Sequence, residues 1–368
     1  MKTYCFKLYR AKRNKKLYSL INIAGNIYNH CIALHKRYYR LFGKSLNANA
    51  LQKHLTKLKK LNKYYFWKLL GSQAIQDIAQ HIDKGYKLFF CNQKHNIRSA
   101  PPSFKKVKKY KSFTLKQAGY KLLGDNLISI SGQEYKFHKS REIEGTIKTI
   151  TIKRDTIGDL YIYFVCEQEE NQVIARTGKS VGYDFGLKTF LKASDDMDEE
   201  SPLFFKQNTC RIQKASCKLS RKKKNSNNRK RAKLELARLH KKVANCRKDY
   251  HFKLAKKLCE NYATICIEDL NIKVMQRNWG RKISDLGHSQ FVNILRHQSG
   301  KLGSTVVEIP RFYPSSKTCS NCGYIIDKLP LKIREWTCQN CGEKHDRDKN
   351  AATNILRVGT STLLGETS

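Results

Sequence analysis

The chain has 368 residues and carries 73 Lys and Arg against 30 Asp and Glu, a formal net charge of +43. An excess of that size, spread over the whole length, indicates a polyanionic partner. The sequence contains no apolar run of the roughly 18 to 20 residues that span a bilayer, and no signal peptide at its start. These features argue against a membrane protein, and we expect a cytosolic or nucleoid-associated one.

The first part of the chain changes from a strand-like pattern to a helical one and back. Thr3 to Tyr9 alternates like a strand, and the sequence from about Lys15 to Phe90 is helical, with repeated aromatic and basic residues. Short alternating stretches follow at 127–131, 146–153 and 160–165, and the last two are joined as a hairpin. Because one strand precedes the helices, we interpret the helical block as an insertion into a small antiparallel β domain.

One helical stretch in this block, 71–90, has a core face and a polar face. Its apolar residues recur at helical spacing, and Gln76 and Gln80 fall on other faces. Glutamines on a helix surface are usually only solvated.

From about residue 179 the sequence predicts a second unit of alternating strands and helices. The predicted strands are 181–184, 190–193, 264–267 and 305–309, and the predicted helices are 210–223, 229–258 and about 290–302. Such alternation indicates an α/β layer with a parallel portion. The last dozen residues are expected to be loosely ordered.

A strongly basic turn joins the first two of these helices. A solvated charge run is the usual explanation of such a stretch. At the tip of a helical hairpin, in a chain this basic, contact with phosphates is favoured. The candidate nucleic-acid contacts in the turn are Arg221, Lys222, Lys223, Lys224, Arg229, Lys230 and Arg231.

Three acidic residues stand at the ends of predicted elements in the second unit. Asp184 lies in the strand of VGYDFGLK, Glu268 follows the strand 264–267, and Asp348 lies in the first turn of a predicted helix. One isolated carboxylate of this kind is usually a cap or a surface charge, whereas three in one α/β layer favour a metal centre. Phosphodiester hydrolysis needs such a cluster, because carboxylates hold two Mg²⁺ or Mn²⁺ ions about 4 Å apart.

Four of the 13 cysteines form two CxxC pairs, Cys319 with Cys322 and Cys338 with Cys341. This spacing predicts a zinc ribbon with four thiolate ligands. A redox site would need only one CxxC pair, and a closed site of four thiolates makes the zinc structural. His345 is expected to be a neighbour of the zinc and not a ligand. The basic residues around the ribbon, among them Arg311 and Lys317, are further candidates for nucleic-acid contact. The other nine cysteines are expected to be free thiols in a reducing compartment.

Taken together, the motifs of the second half resemble those of TnpB, the transposon-encoded RNA-guided nucleases related to miniature type V CRISPR effectors. The similar segments are VGYDFGLK, LSRKKKNSNNRKRAKLELARLHKKVAN, CIEDLN, YPSSKTCSNCG, WTCQNCG and HDRDKNAATNI. They cover residues 179–356 in the order found in that family. Tyr183 and Phe185 stand where the family more often has aliphatic residues, which still keeps the strand apolar.

The resemblance implies a multidomain α+β protein in which a wedge-type β-barrel carries an inserted helical recognition domain. An RNase H-like (RuvC) α/β domain with a Cys₄ zinc-ribbon insert for target nucleic acid would follow. The implied ranges are 1–10 and 97–172 for the wedge, 11–96 for the helices, 173–314 and 345–368 for RuvC, and 315–344 for the ribbon. In that family the RuvC acids, which hold two Mg²⁺ or Mn²⁺ ions, correspond to Asp184, Glu268 and Asp348, and Asp346 is the flanking acid of the DRD triplet.

The activity that the resemblance implies is cleavage of double-stranded DNA beside a short flanking motif, in the prokaryotic cytosol. In that family the helical and wedge domains read this motif, and Gln76 and Gln80 are candidates for contacting it. The partners would be a guide RNA from the transposon end and the target DNA, with one protein monomer per RNA. A guide-dependent DNA-binding repressor is an alternative, but such a protein should lack one of the acids. A guide-free RuvC-type nuclease or transposase would leave the first half unexplained, and only the genomic neighbourhood distinguishes a CRISPR effector.

Overall fold

The computed structural model describes residues 1–168, 174–330 and 332–365. The chain divides into two compact units, Met1–Glu170 and Asn171–Ser368. Each unit combines helices with β-sheet, so the α+β prediction is confirmed. Within the described ranges, no helix has both the length and the apolar character that crossing a membrane requires.

The first unit is built on a four-stranded antiparallel sheet in the order β1-β7-β6-β2 and a three-stranded sheet in the order β3-β4-β5. The strands are β1 (Lys2–Lys7), β2 (Ser112–Leu115), β3 (Tyr120–Gly124), β4 (Leu127–Ile130), β5 (Gln133–Lys136), β6 (Thr146–Arg154) and β7 (Leu160–Glu167). A bridge between Leu8 and Phe137 extends β1 toward β5. On β6 and β7 buried and half-buried positions alternate, as expected of a sheet with one face on the core.

Three helices lie in sequence between β1 and its partner β7. They are α1 (Asn14–Phe42), α2 (Ala48–Leu58) and α3 (Ser72–Lys94), with 3₁₀ segments at Asn62–Leu70 and Val107–Lys109. Gly43 ends α1 in the left-handed conformation, with φ +63°. The side chain of Asn47 caps α2 by accepting a 2.8 Å hydrogen bond from the Ala50 N–H.

The second unit contains a five-stranded sheet in the order β10-β9-β8-β11-β12, with β8, β11 and β12 parallel. Its strands are β8 (Ser180–Phe185), β9 (Thr189–Ala193), β10 (Glu199–Glu200), β11 (Thr264–Glu268) and β12 (Thr305–Ile309), and a separate hairpin pairs β13 (Glu335–Thr337) with β14 (Lys344–Asp346). The helices are α4 (Phe204–Ser220), α5 (Asn227–Asn261), α6 (Ile272–Leu286), α7 (His288–Leu302) and α8 (Arg347–Leu363).

Two glycines allow α8 to approach the sheet closely. A Cβ on Gly182, in β8, would lie 2.2 Å from the carbonyl oxygen of Ala352, and one on Gly359 would lie 2.4 Å from Sγ of Cys266. Side chains at these positions would therefore push α8 off the strands. Gly182, the first glycine of VGYDFGLK, thus allows the first turns of α8 to lie beside β8.

The structure also corrects several boundaries. Glu268 is the last residue of β11 and does not follow it. The chain end expected to be loose is helical as far as Leu363, because α8 continues along the sheet. The sequence patterns missed β2, β3 and β5, which have four or five residues each, and found β4 between the last two.

Candidate metal centre and zinc ribbon

Asp184 and Glu268 lie side by side at the ends of neighbouring parallel strands. β8 and β11 are paired with Ile267 opposite Tyr183, so the next residue on each strand is one of the two acids. The neighbours Tyr183 and Ile267 are buried in the core of the unit, at 1% exposed each, which fixes the strand ends. Asp348 is in the first turn of α8, one turn before the Ala352 that contacts Gly182.

The surroundings of Asp184 oppose its ionisation. Burial, followed by the negative charges of Glu268 and Asp348, raises the pKa of Asp184 well above its usual range. Burial also raises the pKa of Glu268, and a hydrogen bond from the Ser315 hydroxyl opposes that rise. A carboxylate whose pKa is raised by burial and by neighbouring carboxylates is characteristic of functional sites, and a bound cation would relieve the repulsion at Asp184.

Asp348 forms an ion pair with Arg334. Nη1 of Arg334 donates to both carboxylate oxygens of Asp348, at 2.9 and 3.0 Å. Asp346 has a different position: its side chain caps α8 by accepting a 2.8 Å hydrogen bond from the Lys349 N–H. The two acids of the DRD triplet therefore differ in position. The charge of Asp348 acts on Asp184, whereas Asp346 caps α8.

The four paired cysteines converge as the zinc-ribbon prediction requires. Their Sγ atoms all lie within 4.8 Å of one another. No other group of three or more His, Cys, Asp or Glu converges in this way within the described ranges, so the oxygens of Asp184, Glu268 and Asp348 do not meet at one point while Arg334 holds Asp348. In each knuckle a glycine with positive φ follows the second cysteine, and its N–H donates to the first cysteine's carbonyl at 3.0 Å. A hydrogen bond from the backbone of Tyr324 lowers the pKa of Cys322 to about 6, which favours the thiolate that zinc binds.

His345 lies against this cluster. Its Nε2 is 3.0 Å from Sγ of Cys319, and its ring packs on Trp336 with centroids 4.8 Å apart. A histidine N–H that donates to a zinc-bound thiolate orients the ligand without replacing it. The four cysteines fit a tetrahedral zinc site, with His345 as the neighbour that the sequence predicted.

Several of the residues predicted to contact nucleic acid form hydrogen bonds with other residues of the protein. Nη1 of Arg229 donates to the carbonyls of Leu219 and Lys222, at 2.9 and 2.8 Å, and so closes the turn between α4 and α5. Arg311 bonds Asp269 at 2.6 Å. The residues of the turn that are exposed are Arg221, Lys223, Lys224, Lys230 and Arg231, whereas Lys222 is half-buried.

Three other candidates lie outside that turn. Nζ of Lys317 donates to the Asp327 carbonyl at 2.7 Å. The Gln80 side chain accepts a hydrogen bond from Lys116, while Gln76 is exposed on α3. Gln76 therefore lies on the accessible part of α3, Gln80 is half-buried beside Lys116, and the contact of either residue with DNA stays a prediction.

Sequence models of two protein families match this chain. The family described as "Probable transposase" (OrfB of IS605) matches residues 163–278, and the TNB domain of Cas12f1-like proteins matches residues 288–355. A protein of Streptomyces pristinaespiralis named "Putative RNA-guided DNA endonuclease" is 32% identical over 90% of this chain and 83% of its own length. The chain belongs to the TnpB family.

A further relative and a solved structure agree with this family assignment. The Escherichia coli K12 protein named "Putative RNA-guided DNA endonuclease InsQ" is 27% identical over 92% of this chain and 87% of its own length. A solved structure entitled "Cryo-EM structure of the Cas12f1-sgRNA-target DNA complex" matches 94% of this chain and 83% of that chain, with a TM-score of 0.57 and 14% identity. At that identity the match shows a shared fold.

Sequence reasoning missed four polar residues at this centre: Arg334, Ser315, Asn350 and Asn354. In the sequence, Arg334 is one of several basic residues around the ribbon, and nothing distinguishes it from the others. The two asparagines are buried, at 3% and 0% exposed. Their signal was present in KNAATNI, where two amides four residues apart fall on the apolar face of a helix, a position that requires hydrogen-bond partners.

Proposed function

We propose that this TnpB-family protein is an RNA-guided endonuclease that cuts double-stranded DNA in an active site formed by Asp184, Glu268 and Asp348. The observation that carries this proposal is the adjacency of Asp184 and Glu268 on parallel strands, with Asp348 close enough to raise the pKa of Asp184. A protein that only binds DNA would gain nothing from three carboxylates that repel one another and the phosphates. Membership in a family whose relatives are named as RNA-guided DNA endonucleases supports the choice of substrate.

The residues fit a pair of divalent cations such as Mg²⁺ or Mn²⁺. Their donors are carboxylate oxygens, which these hard cations prefer, and their repulsion is what a cation would neutralise. When bound, two ions at such a site activate a water molecule and stabilise the leaving oxygen of the phosphodiester. Asp184 and Glu268 would hold the ions from the strand ends, and Asp348 would do so from α8, exchanging Arg334 for metal.

The proposed domain roles follow those of the family. Residues 1–10 and 97–172 would form the wedge β-barrel, 11–96 the helical recognition domain, 173–314 and 345–368 the RuvC domain, and 315–344 the ribbon that binds target nucleic acid. Guide RNA from the transposon end would select the target by base pairing, while the protein would recognise a short flanking DNA motif. The exposed basic residues of the α4–α5 turn, Arg221, Lys223, Lys224, Lys230 and Arg231, would contact phosphates.

A crossed cleavage assay tests this function. Protein is purified with its RNA, the guide segment is exchanged, and two guides are combined with two targets in Mg²⁺, each target bearing the flanking motif. We expect cutting only for the two matched pairs, and none with Asp184→Ala. Cutting that ignores the guide, or that persists without RNA, would indicate a guide-free nuclease. Guide-directed binding without cutting would indicate a repressor.

A further inference from the structure

A hydrogen-bond network fastens the start of the zinc ribbon to the helix that carries Asp348. Nδ2 of Asn354 donates to the carbonyls of Ser315 and Thr318, at 2.9 and 2.6 Å. Nδ2 of Asn350, one turn earlier on α8, donates to the Thr318 carbonyl at 2.7 Å and to that of Ser315 at 3.4 Å. These bonds lie in the interior, where an unmade hydrogen bond costs about 1 to 3 kcal/mol, so the segment has little freedom.

The same segment continues directly into the zinc knuckle. Thr318 precedes the ligand Cys319, and the N–H of Ser320 donates to Oδ1 of Asn350 at 2.9 Å. The far end of the ribbon is fastened to α8 as well, because β14 runs into it and Asp346 caps its first turn. Both ends of the ribbon therefore meet the first two turns of α8.

The segment reaches the candidate metal centre through one side chain. The hydroxyl of Ser315, which is 6% exposed, donates to Oε1 of Glu268. Glu268 has several rotatable bonds, and this contact selects one orientation of its carboxylate. The bond uses one lone pair of Oε1, so Oε2 and the second lone pair of Oε1 stay available for a metal ion.

We propose that Ser315 is a positioning residue for Glu268, and that Asn350 and Asn354 couple the zinc knuckle to the nuclease centre by holding Ser315 in place. This inference rests on the proposed function, because it assigns Glu268 to a catalytic metal. It gives the zinc a second role beyond folding the ribbon. Hydrogen-bond partners of metal ligands typically change metal affinity by 10- to 100-fold when they are removed.

The test measures metal occupancy at the acids without using DNA cleavage. Fe²⁺ replaces Mg²⁺ in the full-length protein, as purified with its RNA, and ascorbate with peroxide then generates hydroxyl radicals that cut the polypeptide near bound iron. Fragments that end near residues 184, 268 and 348 are quantified as Fe²⁺ is titrated. Zinc content and the melting temperature are measured on the same samples.

For Ser315→Ala we expect half-maximal fragment formation at roughly tenfold higher Fe²⁺, with zinc content and melting temperature close to wild type. Ser315→Thr keeps the hydroxyl and should restore the wild-type titration. Ser316→Ala is the matched control, since the structure gives that neighbouring hydroxyl no hydrogen bond to the described residues. Asn354→Leu should weaken Fe²⁺ binding while zinc stays bound, and combining it with Ser315→Ala should add little.

The outcomes separate the two proposals. Wild-type fragments near the three acids that Mg²⁺ suppresses, together with an unchanged titration in Ser315→Ala, would overturn the positioning role and leave the nuclease centre intact. The absence of such fragments in the wild-type protein would overturn both. A shift in Ser315→Ala that Ser315→Thr does not reverse would also contradict the inference, because the hydroxyl would then not be its cause.

Discussion

Arg334 holds Asp348 through two hydrogen bonds from a single nitrogen, at 2.9 and 3.0 Å to the two carboxylate oxygens. Arg334 precedes β13 in the zinc ribbon, while Asp348 belongs to the helix beneath the candidate metal centre. The pair is partly solvated, with side chains 66% and 40% exposed, so it can open at modest cost. A metal ion bound by Asp348, as proposed above, would therefore compete with a weak ion pair.

Arg334→Gln should affect metal binding and cleavage in opposite directions. Loss of the competing guanidinium should lower the metal concentration for half-maximal occupancy by about two- to fivefold, the range of an exposed ion pair. Cleavage at saturating Mg²⁺ should fall, because a guanidinium beside the acids can neutralise charge on the phosphate in the transition state. Fe²⁺ titration measures the first effect and single-turnover cleavage the second. Unchanged metal affinity would mean that the ion pair does not compete.

Asp346 and Asp348 should give different phenotypes despite their spacing of two residues. Asp346→Ser keeps a side chain that can cap α8, so cleavage should persist, while Asp346→Ala should cost about 1 kcal/mol of stability. Asp348→Asn should abolish cleavage and retain guide-directed DNA binding, since the carboxylate would hold metal and not the duplex. Cleavage and gel-shift assays on the same preparations decide this. Normal cutting by Asp348→Asn together with loss in Asp346→Ser would reverse the assignment.

Much of this centre was predictable from the sequence because most of its metal-binding residues belong to short motifs. CxxC spacing predicts convergence of four thiolates without knowledge of the fold, and acids at strand ends share one edge of a parallel sheet. Arg334, Ser315 and Asn354 were not predictable in this way, because their partners are 14 to 47 residues away and depend on how the ribbon meets α8. Within the β3–β5 meander, β4 was predicted at 127–131 because ISIS, at 128–131, alternates apolar and polar residues, whereas YKLLG in β3 and QEYK in β5 do not alternate in this way and were missed.

Cys338→Ser should release the zinc and destabilise the ribbon. Cys338 is 2% exposed within the four-thiolate cluster, and the energy of metal binding is also folding energy for the segments that supply the ligands. Zinc content measured by mass spectrometry should fall from one to near zero per chain, and the melting temperature should drop. Cys246→Ser, at an exposed free thiol of α5, is the control and should change neither quantity. A wild-type protein without zinc would contradict the assignment.

Asp184→Asn should stabilise the metal-free protein at neutral pH even though it abolishes cleavage. The pKa of Asp184 in the folded protein is raised by burial and by two neighbouring carboxylates, whereas in the unfolded chain it is about 3.9. The folded state therefore binds the proton more tightly, and the stability linked to this group is present at low pH and lost as pH rises through the folded pKa. An uncharged amide avoids that loss, so the variant should be more stable than the wild type at pH 7.5 and little different from it near pH 4. Denaturant unfolding in EDTA across this pH range measures the difference, after zinc retention has been verified.

Added Mg²⁺ should stabilise the wild-type protein more than the variant, because only the wild type retains all three ligands. A gain that does not grow with pH, or a variant less stable at pH 7.5, would mean that the charge on Asp184 is not held against its neighbours.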